Sequence, residues 1–252
     1  MAVIDVEQRD RVEIWTLNHP PVNAISMDVL TELEQLLNQV SNNDGINAVV
    51  ITGAGYTFAA GADLAGFMKL GGQLPEFLRK GAQIFGQLEQ LPKPVVAAVN
   101  GIAFGGGNEL AMATDIRIAS TKARFGQPEV NLGIIPGWGG TVRMPRLIGR
   151  SSAARLLLTG DPIDAPEAYR LGLVTQVVEP ELLLDYAVNQ ADRLASLPPL
   201  ALGAIKRLLS NDNLEGAQER ETMEILNLMT TQDAMEGVMA FMQKRRPRFR
   251  GK

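Results

Sequence analysis

Apolar positions recur along this chain with two periods. RVEIWTL, between Arg11 and Leu17, alternates apolar and polar residues and predicts a strand. Leu30, Leu33, Leu36, Leu37 and Val40 fall on one face of a 3.6-residue repeat, so a helix is predicted from about Met27 into Val40, with Ser26 as its cap. INAVVITG is a short apolar run that stops at glycine, which reads as a buried strand. Helical spacing returns from Leu74 to Leu91, and PVVAAVNG and DIRIAS read again as buried strands. Strands alternating with helices predict an α/β core with parallel pairing.

The pattern changes near Ser196. Pro198 and Pro199 punctuate the chain, and three helical segments follow, Leu200–Ser210, Leu214–Met229 and Asp233–Lys244. Met223, Met229, Met235, Met239 and Met242 fall near helical spacing along them. Methionine is an adaptable filler, so these positions read as core or as a subunit interface. No linker, low-complexity tract or sequence repeat is evident.

Composition narrows the chemistry. The 252 residues are 46% hydrophobic and 21% charged, enough to build a core, and the net charge of −4 disfavours a dedicated nucleic-acid binder. There is no cysteine, which excludes disulfides, thiolate metal sites and a cysteine nucleophile. The single histidine, His19, excludes a histidine metal cluster and reads as a loop residue in NHPP. The acidic start MAVIDVEQRD lacks a signal-peptide layout, and no apolar run reaches the ~18 residues of a spanning helix, so a cytoplasmic protein without membrane contact is expected. Carboxylates, backbone groups and hydroxyls remain to do any chemistry.

Three glycine-bearing turns follow apolar strands: TGAGYTFAAGADL, NGIAFGGGNEL and LGIIPGWGGT. None contains GxxxxGK[ST] or GxGxxG, so they do not announce a nucleotide phosphate. Glycine lets a ligand approach the backbone, and the first amides of a helix lack internal partners. If a helix begins near Gly106, its amides could polarise a carbonyl oxygen, with a second amide from the FAAGADL loop; two such donors make an oxyanion hole. Glu109 and Glu129 stand at the glycine-lined mouths. Each could cap a helix start, Glu129 following Pro128 at a first helical position. Each could equally do acid–base work, because two carboxyls whose environments separate their pKa values can pass protons in opposite directions.

At these residues the sequence resembles the enoyl-CoA hydratase/isomerase family, the crotonase superfamily. PVNAIS, FAAGADL, KPVVAAVNGIAFGGGNELAMATDIRIAS, FGQPEVNLGIIPGWGGTVRMPRLIG, LTGDPIDAPEAYRLGLVTQVV and MAFMQKRRPRF carry the likeness over nearly the whole chain. The resemblance implies a crotonase-like spiral of ββα units over residues 1–195 and a C-terminal helical trimerisation region over 196–252, with assembly as a homotrimer or as a hexamer, a dimer of trimers. It implies that the Ala62 and Gly106 amides grip a thioester oxygen and that Glu109 and Glu129 are the two catalytic glutamates. It places Ala24, Ala60, Asp63, Leu64 and Gly137 around the acyl-CoA, Gly137 beside the catalytic water. It lets Phe241 and Lys244 reach the CoA of a neighbouring subunit. Three positions depart from the family pattern: Asn18-His19-Pro20-Pro21 lacks a basic residue before the turn, Asn108 replaces a small residue or cysteine, and Trp138 replaces a small residue.

The resemblance therefore implies a hydratase that adds water to 2-trans-enoyl-CoA and gives 3-hydroxyacyl-CoA. It needs no metal or other cofactor, because CoA arrives as part of the substrate. A Δ3,Δ2-enoyl-CoA isomerase would need one base, so a retained Glu109 favours hydration. Dehalogenases, decarboxylases and hydrolases share the scaffold. The tail KRRPRFRGK holds six basic residues in nine, with Phe249 available to stack, which raises RNA binding as a remote alternative to a solvated tail or a CoA-phosphate contact.

Overall fold

The computed structural model describes residues 2–63, 66, 71–211 and 213–252. RVEIWTL forms β2 (Val12–Leu17), antiparallel to β1 (Ile4–Arg9), and then lies parallel to β3 (Ala48–Gly53). Ser26 caps the helix Met27–Ser41 as expected, accepting from the Val29 amide at 3.3 Å. The helix Leu74–Gln90 and the strands β5 (Val95–Val99) and β7 (Ile116–Ser120) also fall where the pattern puts them.

What the pattern does not reveal is a second strand in each turn. After β3, β5 and β7 come the three-residue strands β4 (Thr57–Ala59), β6 (Ile102–Phe104) and β8 (Arg124–Gly126). The longer strands, with β10 (Gln176–Val178), make a six-stranded sheet in the order β1-β2-β3-β5-β7-β10. The short ones, with β9 (Ile163–Asp164), make a four-stranded sheet in the order β4-β6-β8-β9. Three successive strand pairs thus contribute one strand to each sheet, and the chain advances as a stack of ββα turns. Three residues are too few for a periodicity to register, so these strands read as glycine turns in the sequence. Gly101 shows why glycine is needed between the paired strands: a Cβ there would lie 1.9 Å from the Tyr56 carbonyl oxygen.

Both faces of the large sheet are buried, which explains its near-continuous apolar strands. Val49, Ile51, Val95 and Ala97 face the main core with Trp15, Phe58, Phe85 and Phe125. Val12, Ile14, Val50, Val96 and Ile118 face the helix Leu183–Ala195 through Leu183, Ala187, Val188 and Ala191.

The three C-terminal helices are Pro199–Leu209, Ala217–Met229 and Gln232–Met242. Met223, Met229, Met235, Met239 and Met242 are exposed on the single chain, so they are not its core. The basic tail is not a free solvated strand either. Asp233 accepts from the amides of Arg250 and Gly251, Glu236 pairs with Arg245, and the Phe249 ring packs beside Gly237. Among the described residues no helix is long and apolar enough to cross a membrane, and no group of acidic or histidine side chains could hold a metal ion.

The helix Pro199–Leu209 is pinned to the sheet by charge. Lys206 Nζ meets Asp115 Oδ2 at 2.5 Å and the Lys93 carbonyl at 3.0 Å, while the Val95 amide donates to the same Asp115 oxygen. Burial pushes the Asp115 carboxyl up and the Lys206 ammonium down, so each ionised group depends on the other. Lys206→Met should destabilise the fold by roughly 1.5 kcal/mol, because it removes charge-assisted hydrogen bonds from a carboxylate that keeps partial access to solvent. Urea unfolding at pH 7 measures the loss, which should shrink at low pH as Asp115 takes up a proton.

Candidate active site

The three glycines ahead of Glu109 each answer a different steric demand. Gly105 has φ +50°, a left-handed conformation that favours glycine, and it precedes the helix Gly106–Met112. A Cβ on Gly106 would meet the Trp138 ring at 2.5 Å, and one on Gly107 would lie 1.9 Å from the Ala59 carbonyl oxygen. The helix start is therefore pressed against β4 and against the indole. The Ala62 nitrogen lies 3.4 Å from where a Gly106 Cβ would project. Ile25 bridges to this segment, donating to the Gly61 carbonyl at 2.8 Å and accepting from the Asp63 amide at 3.0 Å. That pairing turns the Ala62 amide the other way. Neither the Ala62 nor the Gly106 amide finds an acceptor among the described residues, so two unpaired donors face one space.

That space is a cavity of about 700 Å³. Ala60, Ala62, Gly106, Glu109, Glu129 and Gly137 all line it, with Leu78, Leu132, Ile134, Ile135 and Trp138 supplying apolar walls. The sequence left open whether Glu109 caps a helix or does chemistry. It does not cap its own helix, whose start has no side-chain cap. Instead Glu109 Oε1 accepts from the Trp138 amide at 2.8 Å and the Gly140 amide at 2.7 Å, at the start of the helix Gly140–Ile148. One oxygen is thus held by a neighbouring segment. Glu109 is 1% exposed. Burial raises its pKa from the ordinary 4.5 to about 7, opposed by the two amides and the Arg143 charge and assisted by the Glu129 charge.

Glu129 sits in a short 3₁₀ turn, Pro128–Leu132, with Pro128 at its first position as expected. Its Oε1 lies 2.8 Å from where a Gly105 Cβ would project. Its Oε2 is buried and makes no hydrogen bond with a described residue. Burial raises its pKa too, partly offset by its own backbone amide. The two carboxyls therefore share one cavity but not one environment: amides favour the charged form of Glu109, and a bare oxygen leaves Glu129 suited to hold a proton.

The other expected positions lie further out. The Ala24 carbonyl is 2.7 Å from His19 Nδ1, one residue before the Ile25 bridge, and does not line the cavity. Asp63 accepts from the Gly66 amide at 2.9 Å rather than facing the cavity. Leu64 falls outside the described residues. Phe241 and Lys244 are exposed at the end of the helix Gln232–Met242, away from this cavity. The sequence reading missed the Trp138 and Gly140 amides as partners of Glu109. The PGWGG run was their only signal, and nothing local ties it to a residue twenty-nine positions earlier.

A sequence model of the enoyl-CoA hydratase/isomerase family matches residues 7–252. The chain belongs to this family. Its relatives include a crotonyl-CoA hydratase of Syntrophomonas wolfei, 41% identical over 98% of this chain and 97% of that one. A 2,3-dehydroadipyl-CoA hydratase of Escherichia coli is 40% identical over the full length of both. The crystal structure of an enoyl-CoA hydratase from Bacillus anthracis superposes with a TM-score of 0.96 at 38% identity, covering both chains completely. The spiral expected from the sequence is therefore the fold of this enoyl-CoA hydratase/isomerase family member. Two relatives at 41% and 40% identity carry different acyl groups in their names, so identity at this level does not fix the acyl group.

The raised pKa of Glu109 has a thermodynamic consequence for this family member. Between pH 4.5 and about 7 the folded chain keeps a proton that the unfolded chain releases, so its contribution to stability falls as pH rises through that window. Above it the ionised carboxylate costs the fold on the order of 3 kcal/mol. Glu109→Gln keeps an oxygen for both amides and removes the charge. Its stability relative to the unmodified chain should rise from pH 5 to pH 8 in urea unfolding; a cap lost with the charge would instead lower it at pH 8.

Proposed function

We propose that this chain is an enoyl-CoA hydratase that adds water to 2-trans-enoyl-CoA and releases 3-hydroxyacyl-CoA. The observation that carries this reading is the pairing of two differently housed carboxyls with two unpaired amides around one apolar cavity. The thioester oxygen would lie between the Ala62 and Gly106 amides, which hold the negative charge that develops there when C3 is attacked. Glu109, its Oε1 fixed by two amides, takes a proton from water as the water oxygen bonds to C3. Glu129 donates its proton to C2. The double-bond electrons pass through the enolate to the new C2–H bond, so H and OH add with no change of oxidation state. The two carboxyls then exchange their proton through solvent. The thioester and water are the only reactants, so the reaction calls for no further cofactor.

The reading extends to assembly. Met223, Leu226, Met229, Met235, Met239 and Phe241 leave an apolar surface on the C-terminal helices that a single chain does not cover. Packing of these helices in a homotrimer would cover it, and a dimer of trimers would give a hexamer. In such an assembly Phe241 and Lys244 would reach the CoA of a neighbour. The intracellular milieu where acyl-CoA is made is the expected location.

Glu129→Gln should lower turnover of crotonyl-CoA by roughly two decades or more, the effect of losing a general acid. Near-normal hydration by a folded mutant would remove Glu129 from the chemistry. Glu109→Gln should depress hydration more than isomerisation of a 3-enoyl-CoA, which needs only one base. In the unmodified enzyme kcat/KM should fall as pH drops below about 7, as the Glu109 carboxylate is protonated. Lys244→Ala should mainly raise KM, since a phosphate contact binds ground and transition states alike. Light scattering on the intact protein checks the trimer: a monomer at micromolar concentration would rule it out.

A further inference from the structure

Arg143 is a buried cation that the proposed chemistry leaves without a task. It lies in the helix Gly140–Ile148, just after the amides that hold Glu109. Its Nη1 donates to the Trp138 carbonyl at 2.8 Å, and its Nε and Nη2 donate to Glu89 Oε2 at 3.0 and 2.7 Å. Glu89 belongs to the helix Leu74–Gln90, so the guanidinium joins that helix to the loop. A Cβ on Gly139 would lie 2.1 Å from Nη1, so glycine at residue 139 leaves the cation room to reach this peptide. The Trp138 residue is thereby held from both sides. Its carbonyl is fixed by Arg143 and its amide is given to Glu109.

We propose that Arg143, anchored by Glu89, is a positioning residue for hydration: it locks the 138–140 backbone with its amides toward Glu109 and places a fixed positive charge behind that carboxylate. The inference rests on Glu109 being the group that handles water. The chain of contacts runs Glu89, Arg143, Trp138, Glu109, and each link is a hydrogen bond of 3.0 Å or less. The Arg143 charge favours the ionised form of Glu109, while Glu89 partly neutralises that charge. The other charged groups near this chain are Glu129 across the cavity and Lys206, which acts on Glu89 from the helix Pro199–Leu209 and is itself paired with Asp115. Loss of Arg143 and loss of Glu89, which acts through Arg143, should therefore shift the ionisation of Glu109 in opposite directions. A merely structural ion pair would not, since removing either partner would weaken the same contact.

The test measures kcat and KM for crotonyl-CoA from pH 5.5 to 9 in the unmodified enzyme and in Arg143→Met, Arg143→Lys, Glu89→Gln and Glu109→Gln. Arg143→Met should move the acid limb of kcat/KM to higher pH by about 0.5 unit or more, as expected when a nearby cation is lost. Glu89→Gln should move it to lower pH. Arg143→Lys keeps the charge and should hold the limb near its original position, while kcat falls because one ammonium cannot span both partners. In Arg143→Met, kcat should fall by about tenfold or more with KM changed little, since the contact bears on the chemical step. Acid limbs that coincide in Arg143→Met and the unmodified enzyme would overturn the proposal. If Arg143→Met does not fold, Glu89→Gln decides: a limb at lower pH supports the proposal and an unmoved limb overturns it. Full activity in Glu109→Gln would instead overturn the assignment of Glu109, whatever the arginine variants do.

Discussion

A carboxylate removed from water must be compensated, and in this chain Glu109 sets that requirement for everything around it. Burial alone favours its neutral form. Two backbone amides and a nearby guanidinium bring its pKa back to about 7, where it can be either charged or neutral. These compensating groups come from the segment 137–143, which the helix Gly106–Met112 meets only through tertiary packing. The glycine-rich loop aims two N–H bonds at one oxygen, and Arg143 holds the carbonyl of the same Trp138.

The same packing explains the glycine run ahead of the glutamate. The helix start must approach β4 and the Trp138 ring more closely than any Cβ permits. That approach leaves the Gly106 amide unpaired beside the Ala62 amide, in a cavity walled by apolar side chains. Donors in such a setting act with little screening. Desolvation thus raises the pKa of Glu109 and Glu129 and strengthens the donors at once. Trp138, a departure from the family pattern, is 3% exposed and stands edge-on to Phe77 and Phe85 at centroid distances of 5.2 and 5.4 Å. It is a wall of the site and, through its peptide, part of the support of Glu109.

The C-terminal helices answer to a different balance. Lys206 and Asp115 anchor the first of them to the sheet, yet the next two leave methionines and Phe241 in water on the isolated chain. Apolar area of that kind would gain favourable burial against another surface, as the proposed trimer supplies. The basic tail meanwhile is folded back by Asp233 and Glu236, so its charge is partly spent within the chain. Phe249 packs on Gly237 and is correspondingly less free to stack on a base.

Elements whose signal is local could be placed from the order of residues alone. Period-2 and period-3.6 patterning placed β2, β3, β5, β7 and the helices after Ser26 and Leu74, because side-chain direction repeats within each element. The motifs around Gly106, Glu109 and Glu129 were legible as a family likeness, and the absence of cysteine bounded the chemistry. The strands β4, β6 and β8 were not legible, since three residues carry no period and are stabilised by partners from other turns of the spiral. Nor could local pattern decide whether Glu109 caps its own helix. That question turned on where its Oε1 finds donors, and the donors lie at the start of another helix, joined to it only by the folded chain. Hydrogen bonds and electrostatic fields act through space, so the tertiary structure alone brought Glu89, Arg143 and the Trp138 peptide into line behind the carboxylate.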